Sequence, residues 1–394
     1  MGQSPKSLTA VSEIPLIQDE VMYCKKIKVA NFRNIEKAEV EFCEGVNILA
    51  GENAQGKTNL LEAIFYTSVG RSFRSAYNAQ MIRFGCELAD ISLDFKDSKR
   101  AQNIHVRIFH DKQRQVEKNG VRVDKLSDIM GSFRAVLFCP EHLSLIKDGP
   151  SERRAFLDMA ISRMYPMYMH SLQRYNSALK QRNALLKNAF NDRESFDSTV
   201  ELWSSQLAAE AAVISDMRVR FIRRAEGYIS KFFSEMTSDA EAPKVTYHGS
   251  SGQTEDEYTD RKKTEQKYMS LLMSSHEREI YAGATLWGIH KDDIDITLNG
   301  KSARIYASQG QQRSLALAMK LSEGEICREE FGDYPVFLFD DVLSELDGAR
   351  RDYLINRMKD KQVIITTCEL EILKNHISAR KIKVREGTYE IEES

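Results

Sequence analysis

The chain has 394 residues, of which 42% are hydrophobic and 29% are charged, and its formal net charge is −2 at pH 7. This length and apolar content are enough for a real core and predict about two domains. No run of 18 or more apolar residues occurs, which argues against a membrane span. The near-neutral charge gives no support to a nucleic-acid partner, so any such site must be a local patch.

The N-terminal segment 1–21 lacks the basic start and apolar stretch of a secretory signal, and we interpret it as a flexible extension. The six cysteines are scattered without a C-x-x-C pair. This spacing argues against a zinc site or a disulfide framework, and it predicts a cytoplasmic protein.

The first third of the chain is rich in strand signals. Residues 25–42 alternate apolar and polar, which predicts paired, half-buried strands. The buried strand GVNILA then runs into GENAQGKT and an apolar helix. Asn119–Gly120 and Asn299–Gly300 predict tight hairpin turns, and the runs at 336–339 and 363–366 predict buried strands of a largely parallel sheet.

The middle of the chain is helical. Between residues 152 and 236 apolar side chains recur at helical spacing, which predicts two long antiparallel helices with a bend at 187–200. The polar stretch 237–265 reads as loop-rich. The prediction is an α/β fold interrupted by a helical arm, with boundaries at 22–151 (first part of the main domain), 152–275 (arm) and 276–394 (second part).

The strongest motif matches G-x-x-x-x-G-K-[ST], which binds the phosphates of a nucleotide. Its glycines let the backbone approach phosphates, Lys57 reaches the β- and γ-phosphates, and the Thr58 hydroxyl ligates Mg²⁺. The predicted cofactors are therefore ATP and Mg²⁺. The residues assigned to this site are Gly51, Glu52, Asn53, Ala54, Gln55, Gly56, Lys57, Thr58 and the adjoining Asn59.

A second element, VFLFDDVLSELD, places two carboxylates after a buried strand. Asp340 would hold the Mg²⁺ shell beside the phosphate loop, and Asp341 would orient or deprotonate the attacking water. The alternative is an ordinary helix N-cap, because carboxylates suit that position.

A third element, IYASQGQQRSLALAM at 305–319, is a small polar turn that begins a helix. Ser308 and Gly310 lie at the helix start, and Gln311 supplies a side-chain amide. Such a turn presents free backbone N–H groups to an anion. The alternative is simply a well-capped helix.

Together the three elements resemble the ABC-type ATPases, with A-S-Q-G-Q where L-S-G-G-Q is usual. That resemblance implies two facing heads, in which the turn of one closes over the γ-phosphate held by the other. It therefore assigns Ser308, Gly310 and Gln311 to the ATP site of a partner copy. The residues that it assigns to catalysis are Lys57, Asp341 and Ser308. Asp347, in the S-E-L-D sequence, matches the family's loop across this interface.

Within these ATPases the chain looks like the SMC, Rad50 and RecF group, and most closely like the RecF family. The RecF pattern extends from about Lys25 to the end of the chain and includes 137–158 and 283–294. It implies an ATP-dependent DNA-binding protein of recombinational gap repair. Such a protein dimerises on ATP and binds gapped or junction DNA, where single and double strands meet. It works with RecR and RecO to load RecA, and its slow, DNA-stimulated ATP hydrolysis releases the dimer.

The resemblance also implies that Arg33 approaches the nucleotide from the sheet edge, although a strand-edge arginine is more often solvated. Asp341 stands where the wider family has glutamate, and Thr366 or Thr367 where transporters often have histidine. His290, Asp292 and Asp293 could form a metal cluster, but a structural turn is the preferred interpretation. Candidate DNA contacts, against the alternative of solvated surfaces, are Arg71, Arg74, Arg153, Arg154, Lys180, Arg182, Lys187, Arg218, Arg220, Arg223 and Arg224.

Two other functions compete with the DNA clamp. One is a transporter or other ABC motor head that uses ATP to move a protein partner, and the other is a nucleotide-dependent interaction module whose hydrolysis is incidental. The predicted arm and the lack of an apolar span favour the DNA clamp over a transporter.

Overall fold

The computed structural model describes residues 22–75, 77–124, 128–237, 241–368 and 379–392. The predicted extension 1–21 lies outside these residues. The strands are β1 Tyr23–Phe32, β2 Ile35–Glu41, β3 Val46–Ala50, β4 Leu88–Lys96, β5 Ala101–Phe109, β6 Gln115–Lys118, β7 Val121–Val123, β8 Ala135–Phe138, β9 Pro243–His248, β10 Asp293–Leu298, β11 Lys301–Ser302, β12 Val336–Asp340, β13 Val363–Thr367, β14 Ala379–Arg385 and β15 Thr388–Ile391. The α-helices are α1 Lys57–Val69, α2 Pro150–Met164, α3 Pro166–Asn188, α4 Arg193–Thr237, α5 Glu255–Tyr258, α6 Arg261–Ser274, α7 His276–Ala282, α8 Ala303–Tyr306, α9 Gln309–Phe331 and α10 Gly348–Arg357.

The first sheet is antiparallel, with the strand order β2-β1-β4-β5-β6-β7. Along β4 buried and half-buried residues alternate strictly, because only one face of the sheet covers the core. The hairpin predicted at Asn119–Gly120 is confirmed, since Lys118 pairs with Val121 and both turn residues have positive φ, 52° and 76°. That geometry requires residues such as Asn and Gly.

The second sheet has the order β15-β14-β3-β13-β12-β8, and its pairings from β14 to β8 are all parallel. The strands β3, β12 and β13 are buried along their whole length, as expected where both faces are covered. The strands predicted at 336–339 and 363–366 are therefore confirmed. Because β3, β12 and β13 run in the same direction, their carboxyl ends meet at one edge of the sheet.

Helix α1 lies between the two sheets. It contacts β1, β4 and β5 of the first sheet and β8, β12 and β13 of the second. All its residues except Thr58 and Asn59 are buried, so the helix is apolar on every side rather than on one stripe. This packing fixes the N-terminus of α1 at the edge where the parallel strands end.

The arm contains two long helices that pack against each other, as predicted, but their lengths differ. Helix α4 has 45 residues, about 68 Å at 1.5 Å per residue, whereas α3 has 23. The predicted bend at 187–200 is wrong in extent, because α3 ends at Asn188 and α4 begins at Arg193. The carboxylate of Asp192 accepts a hydrogen bond from Ser195 N at 3.0 Å and so caps the start of α4. The polar stretch that was predicted as a bend therefore contains the first residues of this helix.

The prediction of a loop-rich stretch at 237–265 is also wrong. Strand β9 pairs antiparallel with β10, and α5 and α6 follow it. Only alternate residues of β9 are buried, Val245 and Tyr247 among them. A strand with one buried face can have a polar composition, which is why the sequence suggested a loop. The hairpin at Asn299–Gly300 is confirmed by the Leu298–Lys301 pair. The β9–β10 pairing crosses the boundary expected at residue 275, and the domain boundaries themselves stay a prediction.

Among the helices that the structure describes, none is both long enough and apolar enough to span a bilayer.

Candidate nucleotide site

A cavity of about 450 Å³ lies where the parallel strands end, a size typical of small-molecule sites. It brings together the phosphate loop, the start of α1, and the ends of β12 and β13. Asn34, just before β2, and Arg74, just after α1, complete it. Its lining residues are Asn34, Asn53, Ala54, Gln55, Gly56, Lys57, Thr58, Asn59, Arg74, Asp341 and Thr366.

The two glycines of the phosphate loop are required by their surroundings. A Cβ added to Gly51 would lie 2.3 Å from the carbonyl oxygen of Val384, which belongs to the neighbouring strand β14. Gly56 has φ 111°, a conformation that L side chains rarely adopt. Both positions therefore keep the loop tight and its backbone open to a ligand.

Lys57 is buried, and its ammonium group is held by the loop itself. Its Nζ donates to the carbonyl oxygens of Gly51 at 2.6 Å and Glu52 at 2.7 Å, and to the Cys368 Sγ at 3.4 Å. The positive charge thus lies at the N-terminus of α1, where free N–H groups and the helix dipole also favour an anion.

Thr58 and Asp340 meet as the sequence predicts for a Mg²⁺ site. The Thr58 hydroxyl donates to Asp340 Oδ1 at 2.7 Å, and the Thr366 hydroxyl donates to the same oxygen at 2.8 Å. Burial raises the pKa of Asp340, and these two hydrogen bonds oppose that shift. A hydroxyl beside a buried carboxylate offers the hard oxygen donors that Mg²⁺ prefers, so the residues fit this ion.

Asp341 lines the cavity next to Asp340. It adopts a left-handed conformation with φ 51° and ψ 17°, and its backbone N–H donates to the Thr366 hydroxyl at 2.9 Å. A non-glycine residue in this region costs roughly 1–2 kcal/mol, and such strain is typical of functional sites. This left-handed conformation turns the chain sharply after β12, so that Asp341 lines the cavity.

The structure does not place Arg33 in the cavity. Its Nε and Nη2 donate to the two carboxylate oxygens of Glu62, at 3.0 and 2.7 Å, and its Nη1 donates to the Gln80 carbonyl. The arginine that lines the cavity is Arg74, whose Nη1 donates to Asn59 Oδ1 at 2.9 Å. Asn34 also lines it, although the sequence analysis did not identify it. Its position next to Arg33 in N-F-R-N was the available signal.

The turn at Ser308 lies outside the described cavity lining. The Ser308 hydroxyl accepts from Gln311 N at 3.2 Å, and Gln311 Oε1 accepts from Ser308 N at 2.6 Å, a capping box for α9. Gln311 Nε2 donates to both carboxylate oxygens of Glu241. The interpretation as a capped helix is thus confirmed within one protomer, and the role of Ser308, Gly310 and Gln311 toward ATP stays a prediction.

Asp347 is likewise a helix cap in this structure. Its Oδ1 accepts from Arg350 N at 3.0 Å at the start of α10, and this hydrogen bond lowers the pKa of its carboxyl group. A Cβ added to Gly310 would lie 3.0 Å from Arg350 Nη2, so Arg350 connects the two caps. Asp347 and Gly310 therefore share one surface of the protomer.

His290, Asp292 and Asp293 form a structural turn. Asp292 is buried and accepts from Ser250 N at 2.7 Å and from the Tyr247 hydroxyl. Asp293 binds both Nε and Nη2 of Arg153. Among the described residues, no group of three or more His, Cys, Asp or Glu side chains is arranged to hold a metal.

Several arginines proposed as DNA contacts are instead parts of the core. Arg153, Arg182 and Arg218 are buried and ion-paired with Asp293, Glu279 and Asp158, respectively. Arg220 forms an ion pair with the buried Asp216, and Arg223 and Arg224 form ion pairs with acidic residues at the surface. By contrast, the cations Arg71, Arg74, Lys180 and Lys187 are exposed.

Comparison with known proteins agrees with this site and fold. The family model of the RecF/RecN/SMC N terminal domain matches residues 23–390. The DNA replication and repair protein RecF of Ruminiclostridium cellulolyticum is 38% identical over 91% of this chain and 96% of its own length. The corresponding protein of Clostridioides difficile is 36% identical over 89% of this chain and 92% of its own length.

Solved structures give the same result. The recombination mediator protein RecF-ATP in the RecFOR pathway is 34% identical and superimposes with a TM-score of 0.86, covering 95% of this chain and 98% of that one. An Smc head domain from Pyrococcus furiosus shares the fold alone. It is 17% identical, with a TM-score of 0.54, and the match covers 94% of this chain and 96% of that one. The fold is thus that of an ABC ATPase head, and the chain belongs to the RecF family.

Proposed function

We propose that this protein is an ATP-dependent DNA-binding protein of recombinational gap repair and replication-fork maintenance. ATP would join two copies into a clamp on gapped or junction DNA, and slow, DNA-stimulated hydrolysis to ADP and phosphate would release it. RecR and RecO are the proposed partners in loading RecA, and the cytoplasm is the proposed location. The names of the relatives, which refer to DNA repair, ATP and the RecFOR pathway, support this proposal.

The observation that carries the proposal is the joint placement of Lys57, Thr58 and Asp340 at the carboxyl edge of a parallel sheet. The ammonium group of Lys57 would leave the two loop carbonyls and pair with the phosphates. The backbone N–H groups of the loop from Asn53 to Asn59 would cradle those phosphates, and Asn34 and Arg74 would form the side wall.

Mg²⁺, when bound by Thr58 and Asp340, would neutralise charge on the terminal phosphates. Asp341 would accept the proton of the attacking water, since it lines the cavity and directly follows Asp340 in the chain. Its side chain is one methylene shorter than the glutamate usual in ABC ATPases, which is consistent with slow turnover.

The second half of each site would come from the partner copy. Ser308, Gly310 and Gln311 would face the γ-phosphate held by the other protomer, with Asp347 beside them at the interface. The separation of the Ser308 turn from the described lining of its own cavity supports this arrangement.

The test is the molecular mass in solution with ATP and Mg²⁺, in the presence and absence of gapped duplex DNA. We expect the wild type to form a DNA-bound dimer, whereas Ser308→Arg binds ATP but stays monomeric. Thr254→Arg is the matched control, because Thr254 is an exposed residue with the same capping box on α5, in the predicted arm rather than in the head. A normal ATP dimer of Ser308→Arg would refute the composite site, and a dimer that binds no DNA would favour a protein-directed motor.

A further inference from the structure

The segment from Arg71 to Cys86 combines a basic composition with two exposed aromatic rings. It contains three arginines and no acidic residue, in a chain whose net charge is −2. Phe84 is fully exposed, at 103% of its reference area, and Tyr77 is 70% exposed. Singly exposed apolar side chains are common on protein surfaces, so it is the setting of these two rings among basic and polar residues that carries the argument.

The described residues on both sides of the rings are anchored to the rest of the head by packing and hydrogen bonds. On one side Phe73 packs edge-on against Phe65 of α1, and the hydroxyl of Ser72 donates to the buried carboxylate of Glu62. On the other side Arg83 N donates to Asn31 O at 2.9 Å, and Arg33 N donates to Met81 O at 2.8 Å.

Between these anchors the surface is polar and basic rather than continuously apolar. Asn78 and Gln80 are exposed between the two rings. Arg71 and Arg74 are also exposed residues, and Arg74, with 47% of its side chain exposed, lies 3.8 Å from the Glu62 carboxylate. Separate aromatic rings among guanidinium groups suit single-stranded nucleic acid, since bases stack on the rings and phosphates pair with the arginines. A protein partner would instead be expected to bind one contiguous apolar patch, because the core of a protein–protein interface is apolar.

We propose that Tyr77 and Phe84 form a stacking platform for the unpaired bases of DNA, and that this platform gives the protein its preference for single-strand/double-strand junctions. The inference rests on the proposed function, which it deepens by naming the residues that read the unpaired strand.

The platform is also bonded to the nucleotide site. Arg74 lines the ATP cavity, and Arg83 Nη1 donates at 3.1 Å to the carbonyl oxygen of Asn34, which lines it too. Asn34 in turn accepts from Asn59 Nδ2 at 2.7 Å, at the start of α1. A strand stacked on the platform therefore contacts the same segment that forms the wall of the ATP site.

The experiment compares the affinities of the full-length protein, with ATP and Mg²⁺, for a blunt duplex and for the same duplex with a single-stranded tail of about ten nucleotides. Phe84→Ala should weaken binding of the tailed duplex about five- to 150-fold, the range expected for one lost stacked base, and leave the blunt duplex unchanged. Adding Tyr77→Ala should abolish the preference for the tail. Phe84→Trp should retain it.

The controls separate stacking from charge and from folding. Phe84→Ala removes no charge, so the salt dependence of binding to the blunt duplex should stay the same. Val121→Ala, at an exposed apolar position on β7 outside the platform, should bind both DNAs like the wild type.

An unchanged preference for the tail in the double variant would overturn the inference and leave the proposed function intact. An equal loss on both DNAs, or a loss confined to binding of a protein partner, would also overturn it. A wild type that binds neither DNA would refute the proposed function and this inference with it.

Discussion

The substitution Arg182→Met distinguishes a structural arginine from a DNA contact. The Arg182 side chain is fully buried, and its Nη2 donates to Glu279 Oε2 at 2.6 Å, also fully buried. Its other hydrogen bonds go to Ser204 Oγ, Thr285 Oγ1 and Leu272 O. The guanidinium group thus connects α3, α4, α6 and α7 from inside the arm.

Removal of this guanidinium leaves the carboxylate of Glu279 buried without its countercharge. Breaking a buried pair in this way costs about 3–5 kcal/mol in the free energy of unfolding. For cooperative unfolding of 394 residues, an unfolding entropy of about 2.1 cal/mol/K per residue gives about 0.8 kcal/mol/K. We therefore expect Arg182→Met to lower the Tm by roughly 4–6 °C.

The assay pairs thermal unfolding, followed by circular dichroism, with the salt dependence of DNA binding. Lys180→Met is the matched control, because Lys180 lies exposed on the same helix and its loss should change stability by about 0.5 kcal/mol or less. The double variant with Glu279→Met should recover most of the lost stability, since apolar residues can replace a buried ion pair. The structural role would be refuted by an unchanged Tm together with a weaker salt dependence of DNA binding, by the amount expected for one lost phosphate contact. That result would restore Arg182 as a DNA ligand.

Two further predictions concern the nucleotide site. Lys57→Ala should lower the affinity for ATP by about 100-fold or more, because charge-assisted hydrogen bonds contribute roughly 1.5–3 kcal/mol each; calorimetry that shows wild-type affinity would contradict the role of the phosphate loop. Asp341→Asn should slow ATP hydrolysis by about 10²–10⁴-fold, the usual contribution of a general base, and prolong the lifetime of the ATP dimer. Wild-type phosphate release by this variant would exclude Asp341 from the mechanism.

Local sequence rules located the elements that depend on local chemistry. The Asn-Gly turns, the phosphate loop and the apolar strands at 336–339 and 363–366 are each specified within a few residues, and the structure has them where they were expected. The meeting of Thr58 with Asp340, 282 positions apart, followed from the rule that parallel strands end at one edge.

The features that were missed depend on partners distant in the chain. Nothing near Arg182 in the sequence indicates that Glu279, 97 residues later, will bury it. Strand β9 is recognisable only through its pairing with β10. The buried carboxylate of Glu62 binds both Nε and Nη2 of Arg33 and holds it away from the cavity, whereas Arg74, only 3.8 Å from the same carboxylate, lines the cavity.

The capping box at Ser308 and its proposed contact with a partner's nucleotide are compatible. A serine hydroxyl accepts the Gln311 N–H through a lone pair and still has its own proton to donate to a phosphate oxygen. Helix geometry leaves the N–H groups of Gln309 and Gly310, the first two residues of α9, without an acceptor inside the helix. The box thus fixes the direction of these donors before ATP arrives, so little conformational entropy remains to be lost when two heads close. Because Ser308→Arg removes this cap as well as blocking the approach, Thr254→Arg, which removes the capping box of α5, is the control that separates loss of a cap from loss of the composite site.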